Sequence, residues 1–264
     1  MKRIIYISLF TIIVIGLITL TGFIVIHNKS NQVSDIEVKI YRNSESGFLN
    51  HDEILTTIQN MDDLSLHQTV DSGQIINNPE TDKIEKFLIK NPYVDKVDSY
   101  FTVDGKLLIN IKEKETIIRI YDVGKEGFYI DKNGEIFPIS RQYAPRVIIA
   151  NGHIKDKVSD FNSNIHDSDY NKTVIQELFN LTKLINQNEL LKAQINQIYV
   201  NSKGEYDLIP ELGDHVVQFG TFDNAQTKLN NLVAYYEKCL KSDNWDIYKT
   251  INLTYKDQIV CTKK

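Results

Sequence analysis

Residues Ile4 to Ile26 form an unbroken apolar run without a charged side chain, preceded by Lys2 and Arg3. At about 1.5 Å of rise per residue such a helix is roughly 34 Å long, enough to cross a hydrocarbon core of about 30 Å. Its polar members, Ser8, Thr11, Thr19 and Thr21, can bond back to their own helix. A cleaved signal has a shorter apolar segment, about 7–15 residues, and ends at a small-x-small site. This run instead exits through Phe23-Ile24-Val25-Ile26-His27-Asn28-Lys29, and no cysteine directly follows for a lipid anchor. Lys2 and Arg3 favour an N-terminus inside. The expectation is a cytoplasmic tail at 1–3, a transmembrane helix at 4–26, a polar linker at 27–34, and the working part of the chain outside the cytoplasm.

Roughly 230 residues remain, enough for one large domain or two small ones. The formal net charge is −5, with no basic block beyond the pair at the start. A nucleic-acid partner would need a positive stripe to displace counterions, so that class is excluded. The two cysteines, Cys239 and Cys261, can be free or paired.

Beyond the linker, Ile36, Val38 and Ile40 alternate with Glu37 and Lys39, the pattern of a half-buried strand. Asn50 with Glu53 matches a capping box, and Ile54, Leu55 and Ile58 supply a helix face. A polar loop at 61–73 leads to Asn78-Pro79-Glu80, a helix start; Ile84, Phe87 and Leu88 form its stripe and Asn91-Pro92 ends it. Strands at 97–103 and 106–112 flank Asp104-Gly105, a hairpin turn that needs positive φ. Two helices on one face of a three-stranded sheet would close a small α+β domain at 35–114.

From Glu115 the pattern turns to β. Ile117, Ile118, Ile120 and Tyr121 lead to Gly127-Phe128-Tyr129-Ile130, a turn at Asn133-Gly134, and Ile136-Phe137-Pro138-Ile139. Residues 146–152 read as a buried strand and 153–169 as a polar loop. Val174, Leu178, Leu181 and Ile185 are spaced as a helix stripe. Strands follow at 195–200, 205–209 and 215–219, then a second helix with Leu229, Leu232, Val233, Tyr236 and Leu240, and final strands at 247–255 and 258–262. The fold class expected is α+β: one N-terminal transmembrane helix, a βααββ domain, and a β-rich domain with two helices at 115–264.

Catalytic chemistry finds no foothold. The six histidines are scattered away from metal spacing, and no nucleophile elbow or phosphate-cradling glycine loop occurs. Asp131-Lys132-Asn133-Gly134-Glu135 lacks the glycine and glutamate positions of a calcium loop and reads as a hairpin turn. Asn171, Asn180 and Asn252 begin glycosylation-type triplets, but inside expected helices and a strand, as chance matches do. The expectation is no enzyme, no cofactor, no metal and no small-molecule substrate.

The order of these pieces resembles the bacterial cell-division family FtsQ, called DivIB in Gram-positive species, whose first module is a POTRA domain. Ile84 to Val94 is similar to that family's helix ending in "NPxV", and Asp104 to Ile111 to the strand after its hairpin. Tyr129 to Phe137 resembles the hairpin opening its β domain, and Ala144-Pro145 through Gly152 its "LP…G" strand. Val216-Val217-Gln218-Phe219-Gly220 with Lys228-Leu229, and Ile251-Asn252-Leu253-Thr254-Tyr255, resemble two later motifs. Lys114-Glu115 stands where many members have Arg-Pro, and Asn252 and Thr254 replace the usual Asp and Arg.

The resemblance implies a non-enzymatic divisome scaffold in the inner membrane, with its C-terminal domains in the periplasm at the septum. It would bind the coiled-coil proteins FtsB (DivIC) and FtsL and link early ring components to septal peptidoglycan synthesis. A last strand offers a row of unpaired N–H and C=O groups to a partner strand. The candidate partner-binding residues are therefore Thr254, Tyr255, Gln258, Ile259, Val260, Cys261 and Thr262. Tyr255 is either a flat anchor for the partner or a core residue facing inward with Ile251 and Leu253. A sheet edge near Ile36–Ile40 is a second candidate surface. The alternative is a POTRA-containing export or assembly factor, but such proteins carry long alternating barrel strands that this sequence lacks.

Overall fold

The computed structural model describes residues 13–17, 19, 35–61, 81–102, 106–121, 127–156, 158, 161, 163–239, 245–256 and 258–264. Of the apolar run at 4–26, residues 13–17 and 19 are helical; the rest of it lies outside the described residues. Among the described residues no helix is long and apolar enough to cross a membrane. The chain divides into two compact units, Met1–Tyr41 with Leu49–Glu113, and Arg42–Phe48 with Lys114–Lys264.

In the first unit β1 (Asp35–Tyr41), α1 (His51–Gln59), α2 (Thr81–Leu88), β2 (Val94–Phe101) and β3 (Lys106–Glu113) follow in order. The sheet order is β1-β3-β2, with β1 parallel and β2 antiparallel to the central strand. Asn50 caps α1 by accepting a hydrogen bond from Asp52 N at 2.8 Å. Val38, Ile54, Ile58, Ile84, Leu88, Leu107, Ile109 and Ile111 close one core, as the periodicities of strand and helix require. Two expectations change. Phe87 is exposed, because Ile84 and Leu88 are four apart and their narrow stripe alone faces the sheet. β2 begins at Val94, three residues early, where an irregularity between Val94 and Lys96 resets the register and buries Val94. The 62–73 part of the expected loop, the helix start at 78–80 and the Asp104-Gly105 turn lie outside the described residues.

The second unit holds β4 (Thr116–Ile120), β5 (Phe128–Asp131), β6 (Ile136–Pro138), β7 (Ile148–Gly152), α3 (Val174–Asn186), α4 (Glu189–Gln194), β8 (Ile195–Val200), β9 (Tyr206–Pro210), β10 (Val216–Gly220), α5 (Ala225–Cys239), β11 (Tyr248–Asn252) and β12 (Val260–Lys263). They build one nine-stranded sheet in the order β12-β11-β10-β9-β8-β7-β4-β5-β6. Leu178, Phe179, Leu181 and Ile185 of α3 and Leu229, Leu232 and Tyr236 of α5 share a core with alternate strand residues such as Ile118, Ile198, Leu208, Val217, Phe219 and Ile251. On the opposite face of β5 and β6, Tyr129 and Phe137 are covered by Phe48, whose ring meets theirs edge-on at 5.6 and 5.9 Å and that of Tyr143 at 5.1 Å.

Among the described residues this unit has three α-helices where the pattern showed two. The extra one, α4, is six residues long, too short for a periodic signal, and its mark is Asn188, whose Oδ1 accepts from Leu191 N at 3.1 Å. The expected polar loop at 153–169 is irregular but not peripheral. It delivers Ile154 and Ile165 into the core. Leu240 lies outside the described residues.

Candidate functional site

The last strand pair forms one end of the nine-stranded sheet. β11 lies parallel to β10, and β12 runs antiparallel to β11 with Asn252 opposite Val260 and Ile251 opposite Cys261. Lys264 N donates to Ile247 O at 3.2 Å, so its N–H points toward β11. Backbone groups alternate sides along a strand, so Val260 and Thr262 bond inward while Cys261 and Lys263 turn their N–H and C=O outward. Among the described residues no backbone partner reaches that outer side.

The strands are shorter than the sequence pattern suggests, and this decides where the candidate residues sit. Asn252 Oδ1 accepts from Thr254 N at 2.8 Å and from Thr254 Oγ1 at 2.7 Å, an Asx-type turn that ends β11. The Asn252 amide nitrogen in turn donates to Gln218 Oε1 at 3.0 Å, fixing the turn to β10. Leu253 stays buried, but the alternation stops there and Tyr255 turns outward, 52 % exposed. Thr254 and Gln258 are exposed beside it, and Ile259 packs against the core ahead of β12. Val260 and Thr262 face solvent; Cys261 is half-buried, its Sγ donating to Tyr235 Oη at 3.2 Å. Cys261 is a free thiol. Tyr235 is held well above the usual tyrosine range, first by burial and then by this bond.

The pattern Val216-Val217-Gln218-Phe219-Gly220 followed by Lys228 builds the wall beside Thr254. Gly220 has φ +77°, and a Cβ there would sit 2.8 Å from Thr254 Cγ2. Lys228 donates to Thr221 O at 2.8 Å and lies 4.9 Å over the Phe219 ring. Sequence reasoning found this motif but did not connect it to the edge. Lys263 was missed altogether, since which residues turn outward follows from the observed register.

At the start of β10, His215 is buried with its Nε2 3.1 Å from Tyr236 Oη and its ring stacked on Trp245. Burial holds its imidazole below the usual histidine value. Among the described residues no group of three or more His, Cys, Asp or Glu could hold a metal ion.

The family described as FtsQ/DivIB, C-terminal related, matches residues 115–262, and the POTRA-like domain matches residues 31–112. The chain therefore belongs to the FtsQ/DivIB, C-terminal related family, with a POTRA-like module ahead of the β-rich one. That family is one of non-catalytic division proteins, and its domains support a cell-division scaffold role. None of the curated proteins compared with the chain matches it.

Proposed function

We propose that the protein is an anchored septal scaffold whose β12 edge receives a strand from an FtsB (DivIC) or FtsL-type coiled-coil partner. The observation that carries this reading is the unpaired outer row of β12, next to an exposed tyrosine. A partner strand would take the outward groups of Cys261 and Lys263, while Val260, Thr262 and Tyr255 read its side chains. Thr254, Gln258 and Ile259 form the approach to the edge. In this reading 1–3 is a cytoplasmic tail, 4–26 the inner-membrane helix and 27–34 a linker. The periplasmic domains are 35–114 and 115–264. The apolar run at 4–26 and the Lys2-Arg3 pair support that topology. The chemistry offered is backbone pairing, with side chains of the edge adding selectivity. β1, one of the two outer strands of the three-stranded sheet, is the second surface for strand addition.

The test is co-purification of the partner with Tyr255→Ala. Because Tyr255 is exposed, its loss should shift stability by no more than about 0.5 kcal/mol. Partner recovery should nevertheless fall about ten-fold, the effect of a modest hot spot. Unchanged recovery from a folded variant would remove Tyr255 from the site.

A further inference from the structure

We propose that the β-rich unit carries a second recognition site, a groove for a short acidic peptide at the beginnings of β4, β7 and β8. These three strands run parallel and start side by side. Between their first residues and α4 lies a groove of about 620 Å³, a size in the range of ligand sites, about 300–1,000 Å³. Its lining mixes apolar residues, Val147 and Ile195 among them, with the polar residues Glu115, Arg146, Asn186, Lys192 and Asn196.

The charges on that rim favour an anion. Glu115 is already engaged by Lys132. Arg146 lies 3.6 Å from Glu211 with its side chain 87 % exposed, an arrangement of little worth to the fold. Its guanidinium is open to a bidentate carboxylate contact. The Lys192 ammonium and the side-chain amides of Asn186 and Asn196 have no hydrogen-bond or ion-pair partner among the described residues. Two cations, two amides and the apolar part of the lining match an extended peptide: carboxylate to Arg146 and Lys192, backbone to the asparagines, an apolar side chain against Val147. Arg146 makes only an exposed pair within the fold, so both cations can be replaced without unfolding the unit.

The experiment is fluorescence anisotropy of a labelled Leu-Glu-Leu-Glu peptide against the full chain in neutral detergent at low salt. Binding is expected, weakened about ten-fold or more by the double substitution Arg146→Gln and Lys192→Gln and for a Leu-Gln-Leu-Gln probe. Equal binding of the two peptides, indifference to the double substitution, or no binding at millimolar protein would each overturn the proposal.

Discussion

The nine-stranded sheet ends on two short strands that the chain treats in opposite ways. Beyond β6, residues 163–165 continue the ladder: Ile136 N donates to Ser163 O at 3.0 Å, Glu135 bridges Asn164, and Ile165 N donates to Gly134 O at 2.8 Å. Ile165 is then fully buried, so the cover is nailed down by a core residue. Beyond β12 nothing comparable follows among the described residues. Exposed edges recruit foreign strands, and proteins normally blunt them. In the proposed reading, the edge that the described residues leave uncovered is the one that takes a partner strand.

The sharpest way to break this contrast is Ile165→Ala. Losing that side chain should cost about 2–5 kcal/mol, read by urea denaturation, and the uncovered β6 edge should raise self-association. An unchanged midpoint would show that the cover is not anchored by the core. Next in size is Lys263→Pro, which deletes an outward N–H and leaves the inward ladder intact; edge positions of this kind tolerate proline. Partner capture should fail while the thermal midpoint barely moves. Retained capture would mean that the partner does not add as a strand.

A smaller effect concerns pH. His215 sits under the β11–β12 end, facing Tyr236 and Trp245, with Asp214, Asp246 and Lys264 nearby. Its folded pKa lies below the ordinary 6.5, so the unfolded chain binds the proton more readily. Its contribution is complete above pH 6.5 and is lost as the pH falls toward the depressed value. Between pH 7.5 and pH 5.5, His215→Gln should therefore lose less thermal stability than the parent. Identical pH profiles would remove His215 as the cause. The smallest effect expected is Lys264→Ala. Its pair with Asp214 at 2.9 Å is exposed and screened, so no measurable change in melting should follow.

Much of this architecture was legible because period-two and period-3.6 patterns survive where one face is buried. β1, β3, α1 and α3 read directly from Val38, Leu107, Ile54 and Leu178 and their neighbours. What escaped has local causes. Counting Ile251, Leu253, Tyr255 as one alternating strand leaves Tyr255 undecided, and the Asn252–Thr254 turn decides it. The signal was an Asn two residues before a Thr. The cover over β6 was invisible because Ile165 lies among Ser, Asn, His and Asp, which announce a loop and hide the one residue that is core. The segment 42–48 gave no hint that Phe48 would seat on Tyr129 and Phe137, because isolated aromatic residues in polar stretches carry no period.

The most direct measurement of the central claim is in-cell photo-crosslinking from two positions, Gln258 beside the open edge and Asn164 on the covered one. Capture of a small single-span coiled-coil protein is expected from position 258 and none from position 164. Abundant folded protein that captures such a partner only from position 164, or from neither position, would contradict it.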